Sequence, residues 1–137
     1  MKTKKILKYL LVAATVGTIF TACKKDNKTV SRTTAQKVIG KWSISSLVGV
    51  TYNAGVGYPY TVPTSSADYI DFRTDGKSYS FSINQHDTTT YHIINEHTIQ
   101  LDLDTAQIKT LTDNSFVLFA KKNEGQDSMT YTITLKK

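Results

Sequence analysis

The sequence predicts an all-β protein: an eight-stranded antiparallel meander that closes into a small barrel, preceded by a signal peptide and a short N-terminal helix. Apolar and polar residues alternate with a period of two in several segments, turn residues recur at short intervals, and residues 33–39 carry the one helical pattern before the strands. Period-two alternation is typical of strands that bury one face. A meander of this length removes its exposed edges by closing on itself.

The N-terminus has the pattern of an export signal. Four lysines in residues 1–8 precede an uncharged run from Tyr9 to Ala22. That run is shorter than the about 20 residues that a bilayer span needs, and it fits the apolar region of a signal peptide. We therefore predict a signal peptide over residues 1–22, a tether with a short helix over residues 23–37, and the barrel domain over residues 38–137.

Cys23 is the only cysteine of the chain, so it has no intrachain disulfide partner. Phe20-Thr21-Ala22-Cys23 resembles the lipobox of bacterial lipoproteins, with Phe20 where Leu is usual. The resemblance implies cleavage before Cys23, a diacylglycerol on its sulfur, an acyl chain such as palmitate on its new amine, and membrane anchoring. Lys24 in place of Asp after the cysteine favours the outer membrane by similarity, on either its periplasmic or its surface face. The alternative is an ordinary secreted protein with a chance cysteine near the cleavage site.

The net charge argues against a nucleic-acid partner. The chain has 17 Lys and Arg against 11 Asp and Glu. Residues 1–22 hold four of the lysines and no acid, which leaves 13 basic and 11 acidic side chains, a difference of two. Nucleic-acid binding needs clustered basic residues for the phosphates, and the nearly neutral barrel domain does not supply them.

One long connection interrupts the regular pattern. Residues 52–66 hold both prolines and three tyrosines, and we predict that they form a loop at one rim of the barrel. Long loops in compact domains often have a function, so Tyr52, Tyr58 and Tyr60 are candidate ligand-binding residues. The alternative is that these tyrosines only close the mouth of the barrel. Strands are predicted near residues 41–51, 67–73, 77–83, 88–94, 98–103, 106–111, 115–121 and 128–136.

The alternation also predicts which residues fill the barrel. If the bulky apolar member of each alternating pair faces inward, the interior is mostly packed, and any pocket is shallow and lies near the long loop. The residues predicted to face inward are Tyr79, Phe81, Ile83, Leu101, Leu103, Tyr131, Ile133 and Leu135.

Three short motifs in order resemble a known family. Gly40-Lys41-Trp42 opens the first strand, Phe72-Arg73-Thr74-Asp75-Gly76 forms a turn, and Ile108-Lys109-Thr110-Leu111-Thr112 precedes an apolar strand. This pattern resembles the lipocalin-like domain lipoproteins of Bacteroides-type Gram-negative bacteria. The resemblance implies a barrel that holds a small apolar ligand, with Gly40 and Trp42 structural and Trp42 plugging the closed end beneath the helix. The chain lacks the disulfides usual in longer lipocalins.

The sequence predicts neither a metal site, nor a cofactor, nor enzymatic activity. His86, His92 and His97 do not place two imidazoles on one strand face, so we interpret them as exposed rather than as zinc ligands. Asp102 and Asp104 share a face, but the alternation points them to solvent rather than to a calcium or acid–base site. No nucleophile motif and no phosphate-binding loop is present.

Two functional hypotheses follow. In the first, the lipid-anchored envelope protein is a binding module for a small hydrophobic molecule. In the second, it is a structural or protein-interaction lipoprotein with a packed barrel, and it contacts another envelope protein through its rim or an exposed strand. An apolar cavity of at least about 300 Å³ favours the first hypothesis. A filled barrel with an exposed aromatic patch favours the second.

Overall fold

The computed structural model describes residues 31–124 and 127–137. The predicted signal peptide and the predicted lipidation site at Cys23 lie outside these residues. Within the described residues, no helix has the length and apolar character needed to cross a bilayer.

The described chain consists of one short helix followed by strands. The elements, in chain order, are α1 (Thr34–Val38), β1 (Gly40–Asn53), β2 (Val56–Val62), β3 (Tyr69–Phe72), β4 (Lys77–Ser82), β5 (Gln85–Asn95), β6 (Thr98–Leu101), β7 (Asp104–Leu111), β8 (Ser115–Glu124) and β9 (Asp127–Lys136).

Helix α1 begins at a capping box. Thr33 accepts a hydrogen bond at its side-chain oxygen from the backbone N–H of Gln36, and the Gln36 side chain accepts one from the backbone N–H of Thr33. This exchange satisfies two donors that a helix start leaves without partners. The chain turns out of the helix at Ile39 and enters β1 at Gly40, which has a φ of 121°. Glycine adopts this positive φ without steric conflict.

The strands form a closed antiparallel barrel, which confirms the predicted fold class. Neighbouring strands pair in the order β3-β4-β5-β6-β7-β8-β9, and β1 pairs with both β3 and β9 to complete an eight-stranded wall. Strand β1 is long enough to pair along two stretches of the same edge. Its first residues, 40–43, pair with β3, and residues 47–53 pair with β2.

One end of the barrel is closed by a packed aromatic core. Trp42 is fully buried, and its indole N–H donates to the carbonyl oxygen of Val38 at 2.8 Å. The Trp42 and Phe116 ring centroids are 5.5 Å apart, and Phe72 packs between Phe116 and Tyr91 at 5.8 and 5.1 Å. We call this the closed end; α1 lies here.

The predicted long loop over residues 52–66 is wrong for residues 52–62. Residues Val56–Val62 form β2, which makes a hairpin with β1 through Ala54 and Gly55. Both turn residues have positive φ, 50° and 83°, which is the pattern of a tight type I′ hairpin. Pro59 suggested a loop, but β2 pairs only with β1, and proline is tolerated on such edge strands.

The predicted inward face of β4 is also wrong. Phe72 faces the core and pairs directly with Ser78, so Ser78 faces inward and Tyr79 faces outward. Residues directly opposite each other in an antiparallel pair lie on the same face of the sheet. Phe81 therefore also lies outside, where its ring stacks on Tyr69 at 6.3 Å.

Two predicted interior residues instead lie in hairpin turns at the open end, opposite the closed end. Ile83 has a φ of 52° and is 66% exposed, and Leu103 is 95% exposed. The alternating pattern continues past the strand end in both segments, because β4 ends one residue before Ile83 and β6 ends two residues before Leu103. The remaining predicted interior residues, Leu101, Tyr131, Ile133 and Leu135, do pack in or against the core.

Candidate functional site

The structure separates the three candidate tyrosines. Tyr52 lies opposite Gly57 in the β1–β2 hairpin. Its ring lies over Gly57, on the same face of the hairpin as the side chain of Val50. Tyr58 and Tyr60 alternate with Gly57, so they lie on the other face, which continues the barrel interior. Tyr58 is 55% exposed. The hairpin thus presents an aromatic residue on each face rather than one cluster.

Tyr60 is positioned by a glycine on the neighbouring strand. It pairs with Gly49, and its ring lies where a side chain at position 49 would project. On the other edge of β1, Gly49 pairs with Tyr131. Because position 49 has no side chain, Tyr60 and Tyr131 approach each other across β1 on the inner face.

The inner face encloses a cavity of about 270 Å³ between the closed-end core and the open end. None of the three candidate tyrosines lines it, although Tyr131 lies between the cavity and Tyr60. The side of the lining that β8 and β9 supply is apolar apart from Tyr131, and the side that β4 and β5 supply carries hydroxyls. The lining residues are Ile70, Phe72, Ser78, Ser80, Thr89, Leu101, Asp102, Asp104, Leu118, Tyr131 and Ile133.

The inward serines of β4 give this cavity its polar wall. Ser78 is buried, and its hydroxyl donates to the carbonyl oxygen of Thr89 at 3.3 Å. Sequence reasoning missed Ser78, Ser80 and Thr89 as lining residues. The Thr74-Asp75-Gly76 turn could have identified them. It fixes the register of the β3–β4 hairpin, in which Phe72 pairs with Ser78, so the serine shares the inward face of Phe72.

Two carboxylates lie at the mouth of the cavity. Asp102 and Asp104 are exposed, as the sequence indicates, but they line the mouth rather than the outer wall. The Asp102 carboxylate accepts a hydrogen bond from the backbone N–H of Thr90 at 2.9 Å. Asp104 pairs with Leu101, an inward residue, and its carboxylate is 3.8 Å from the Lys122 amine.

The surroundings of Tyr131 raise the pKa of its hydroxyl above the ordinary 10.0. The largest cause is burial, which disfavours the tyrosinate, followed by the negative charge of Asp104 and by Tyr60. The neutral hydroxyl of Tyr131 is therefore available as a hydrogen-bond donor and acceptor at the cavity wall.

The histidines do not form a metal centre. Among the residues that the structure describes, no group of three or more His, Cys, Asp and Glu side chains is placed to hold an ion. His86 instead packs against Phe81 on the outer face of the barrel, with the two ring centroids 4.8 Å apart.

A second depression, of about 330 Å³, lies outside the barrel beside α1. Its wall includes Arg32, Lys37 and Lys109 together with Glu96. Arg32 is already paired with Asp113, and the polar residues of this wall are mostly exposed. Side chains of this kind are usually solvated, so the interior cavity is the stronger candidate site.

Comparison with known protein families gave a match. A family model described as a lipocalin-like domain matches residues 38–118, from the end of α1 to the middle of β8. The matched region includes Gly40, Trp42 and most of the cavity lining. Comparison with curated proteins and with solved structures found no match.

Proposed function

This chain belongs to the lipocalin-like domain family, and from that premise we propose that it is a non-enzymatic binding protein for a small, largely apolar molecule. The observation that carries the proposal is the cavity inside the open half of the barrel. Its lower wall is formed by Phe72, Leu118 and Ile133, which supply apolar contact area. Eight-stranded barrels either fill with side chains or hold one small ligand, and this barrel leaves a cavity between its closed-end core and its open end.

The cavity limits the size of the ligand. Its volume is about 270 Å³. This volume is just below the about 300 Å³ that we expected of a ligand cavity, since pockets for drug-sized ligands typically measure about 300–1,000 Å³. The proposal is therefore restricted to ligands smaller than the drug-sized class. A short alkyl chain or a single ring is the class of molecule that fits, with its polar end at the mouth.

We also propose that the protein is lipid-anchored through Cys23 in the outer membrane. The support is the lysine-rich start, the apolar run and the Phe20-Thr21-Ala22-Cys23 stretch. Seven residues lie between Cys23 and residue 31, and the eight residue steps of a fully extended chain span at most about 29 Å. The anchor would therefore keep the barrel close to the membrane. Intact-mass measurement of the mature protein from membranes tests this, and an unmodified thiol at Cys23 would contradict it.

The binding role is tested with a cavity-filling variant. In Ser80→Leu, a larger apolar side chain projects into the cavity from its wall. The matched control is Tyr79→Leu, because Tyr79 is the adjacent residue and faces outward. We expect 1-octanol, measured by titration calorimetry, to bind the wild type and the control variant and to bind Ser80→Leu much more weakly. If octanol binds both variants equally well, its binding site is not this cavity.

The exposed apolar residues of the open end favour a second candidate function, contact with another envelope protein. Leu103, Ile83 and Val56 are all more than half exposed and lie at hairpin ends. Exposed apolar patches often mark interaction sites, and the outer edge of β2 has no strand partner among the described residues. Cross-linking in intact membranes tests this candidate. The double variant Leu103→Ser and Val56→Ser should lose any cross-linked product that the wild type gives.

A further inference from the structure

The open half of the barrel carries more negative than positive charge on its inner side. Asp102 and Asp104 line the mouth of the cavity. Asp87 pairs with the inward Ser80, so it lies on the same inner face. Within the part of the chain that the structure describes, no Lys, Arg or His side chain lines the cavity.

Only part of this negative charge is neutralised by neighbours. Lys122 lies on the inner row of β8, and its amine is 3.8 Å from the Asp104 carboxylate. Asp102 forms no ion pair with a described residue, and its carboxylate accepts one backbone N–H, from Thr90. Among these described residues, one cation therefore lies on the same inner face as three carboxylates, two of which line the mouth. The raised pKa of Tyr131, to which Asp104 contributes, is consistent with a negative potential at this wall.

The polarity of the cavity differs between its two sides and its mouth in a way that fits one ligand class. Leu118 and Ile133 give it an apolar wall on β8 and β9, β4 and β5 give it the hydroxyls of Ser78, Ser80 and Thr89, and the mouth carries Asp102 and Asp104. Hydroxyls accept hydrogen bonds as well as donate them, whereas ionised carboxylates only accept. A ligand with an apolar body and a cationic, donor-only head matches this arrangement, with its body against the apolar wall and its head at the mouth.

We propose that the cavity selects small amphipathic cations, such as a primary amine on a short apolar chain, and that Asp102 and Asp104 confer this selectivity. The inference rests on the proposed binding function, because it assigns the ligand class of the same cavity. Anionic amphiphiles of the same size are disfavoured, since their heads would lie beside the same carboxylates.

Three probes with the same alkyl chain test the charge preference directly. At neutral pH, octylamine is cationic, 1-octanol is neutral and octanoate is anionic. We expect octylamine to bind the full chain about tenfold more tightly than octanol, because two nearby carboxylates attract its head and Lys122 offsets part of that attraction. Octanoate should bind most weakly, and added salt should reduce the differences, because exposed charges are screened.

The source of the preference is tested with the double variant Asp102→Asn and Asp104→Asn. Asn at position 102 still offers an oxygen to the Thr90 N–H and tolerates the positive φ of 50° there. We expect this variant to bind octanol like the wild type and to lose the preference for octylamine. The matched control is Glu96→Gln, which removes one carboxylate from a turn at the closed end and should keep the preference.

The outcomes separate this inference from the function on which it rests. If octanol binds and octylamine binds no more tightly, the charge selectivity is wrong and the binding function stands. If the preference survives in the double variant, or disappears in Glu96→Gln, the two aspartates are not its source and the inference is overturned. If none of the three probes binds, the binding function fails and the selectivity fails with it.

Discussion

The indole N–H of Trp42 donates a hydrogen bond to the carbonyl oxygen of Val38, across 2.8 Å, at the point where α1 gives way to β1. The last carbonyls of a helix have no partner within the helix. Trp42 satisfies one of them while its ring fills the closed end against Phe116. The side chain of Lys137 covers the other side, with its amine 4.3 Å from the Trp42 ring. One side chain therefore joins the helix to the core of the barrel.

This arrangement predicts a graded loss of stability at position 42. Trp42→Phe removes the hydrogen bond and some volume, and we expect it to lower the free energy of unfolding by about 2 kcal/mol. Trp42→Ala also leaves a cavity and should cost about 3–5 kcal/mol. Chemical denaturation measures both values. Tyr58→Ala, at an exposed position, is the control and should change stability by less than about 0.5 kcal/mol. A Trp42→Phe variant as stable as the wild type would contradict the role of the hydrogen bond.

Gly49 is predicted to be intolerant of a side chain. A Cβ at this position would lie 2.5 Å from the backbone carbonyl oxygen of Thr130 and would collide with the Tyr60 ring. We expect Gly49→Ala to lower the free energy of unfolding by about 1–3 kcal/mol, as overpacking does. The matched control is Gly57→Ala, whose Cβ would contact only the side chains of Tyr52 and Val50, at 3.1 Å.

The two alanine variants are best compared by chemical denaturation under the same conditions. Side chains rotate away from a new methyl group more easily than a backbone carbonyl moves, so Gly49→Ala should be clearly the less stable of the two. Adding Tyr60→Ala to Gly49→Ala should restore only part of the loss, because the Thr130 carbonyl remains. Equal stability of the two glycine variants would show that β1 and β9 are less closely packed at this point.

The raised pKa of Tyr131 predicts that the protein loses stability in alkaline solution. Its folded-state pKa is raised above the ordinary 10.0, mainly by burial. The stabilising contribution is therefore fully present below pH 10.0 and is lost as the pH rises through the folded-state pKa, because the unfolded chain ionises first. Denaturation at a series of pH values should show that Tyr131→Phe loses less stability between neutral and alkaline pH than the wild type. If the two proteins lose the same amount, ionisation of Tyr131 does not oppose folding.

The sequence predicted the closed barrel and most strand positions because apolar alternation and turn residues depend on local chemistry. It did not predict which face of β4 is buried, since period-two alternation says which residues share a face but not where that face points. The pairing of Phe72 with Ser78 settles that question, and pairing depends on hairpin register. The cavity was missed for the same reason, because the bulky residues Tyr79 and Phe81 were expected to fill it.

The β4–β5 turn leads to a stabilising substitution. Ile83 and Asn84 connect the strands with φ values of 52° and 59°. A β-branched residue in the left-handed region is sterically strained, whereas asparagine is favoured at this position of a type I′ turn. Ile83 is 66% exposed, so replacing it sacrifices little burial. We expect Ile83→Asn to raise the free energy of unfolding by about 1 kcal/mol, since the left-handed conformation costs an ordinary residue about 1–2 kcal/mol.

The control for this substitution is Ile83→Val, which keeps the β-branch and the strain. It should leave stability nearly unchanged, which would assign the gain in Ile83→Asn to the backbone rather than to lost apolar surface. Thermal and chemical denaturation measure both variants. A destabilised Ile83→Asn protein would mean that the exposed isoleucine makes contacts that outweigh its strain, for example with the neighbouring residues Val62 and Pro63, which line the same surface cleft.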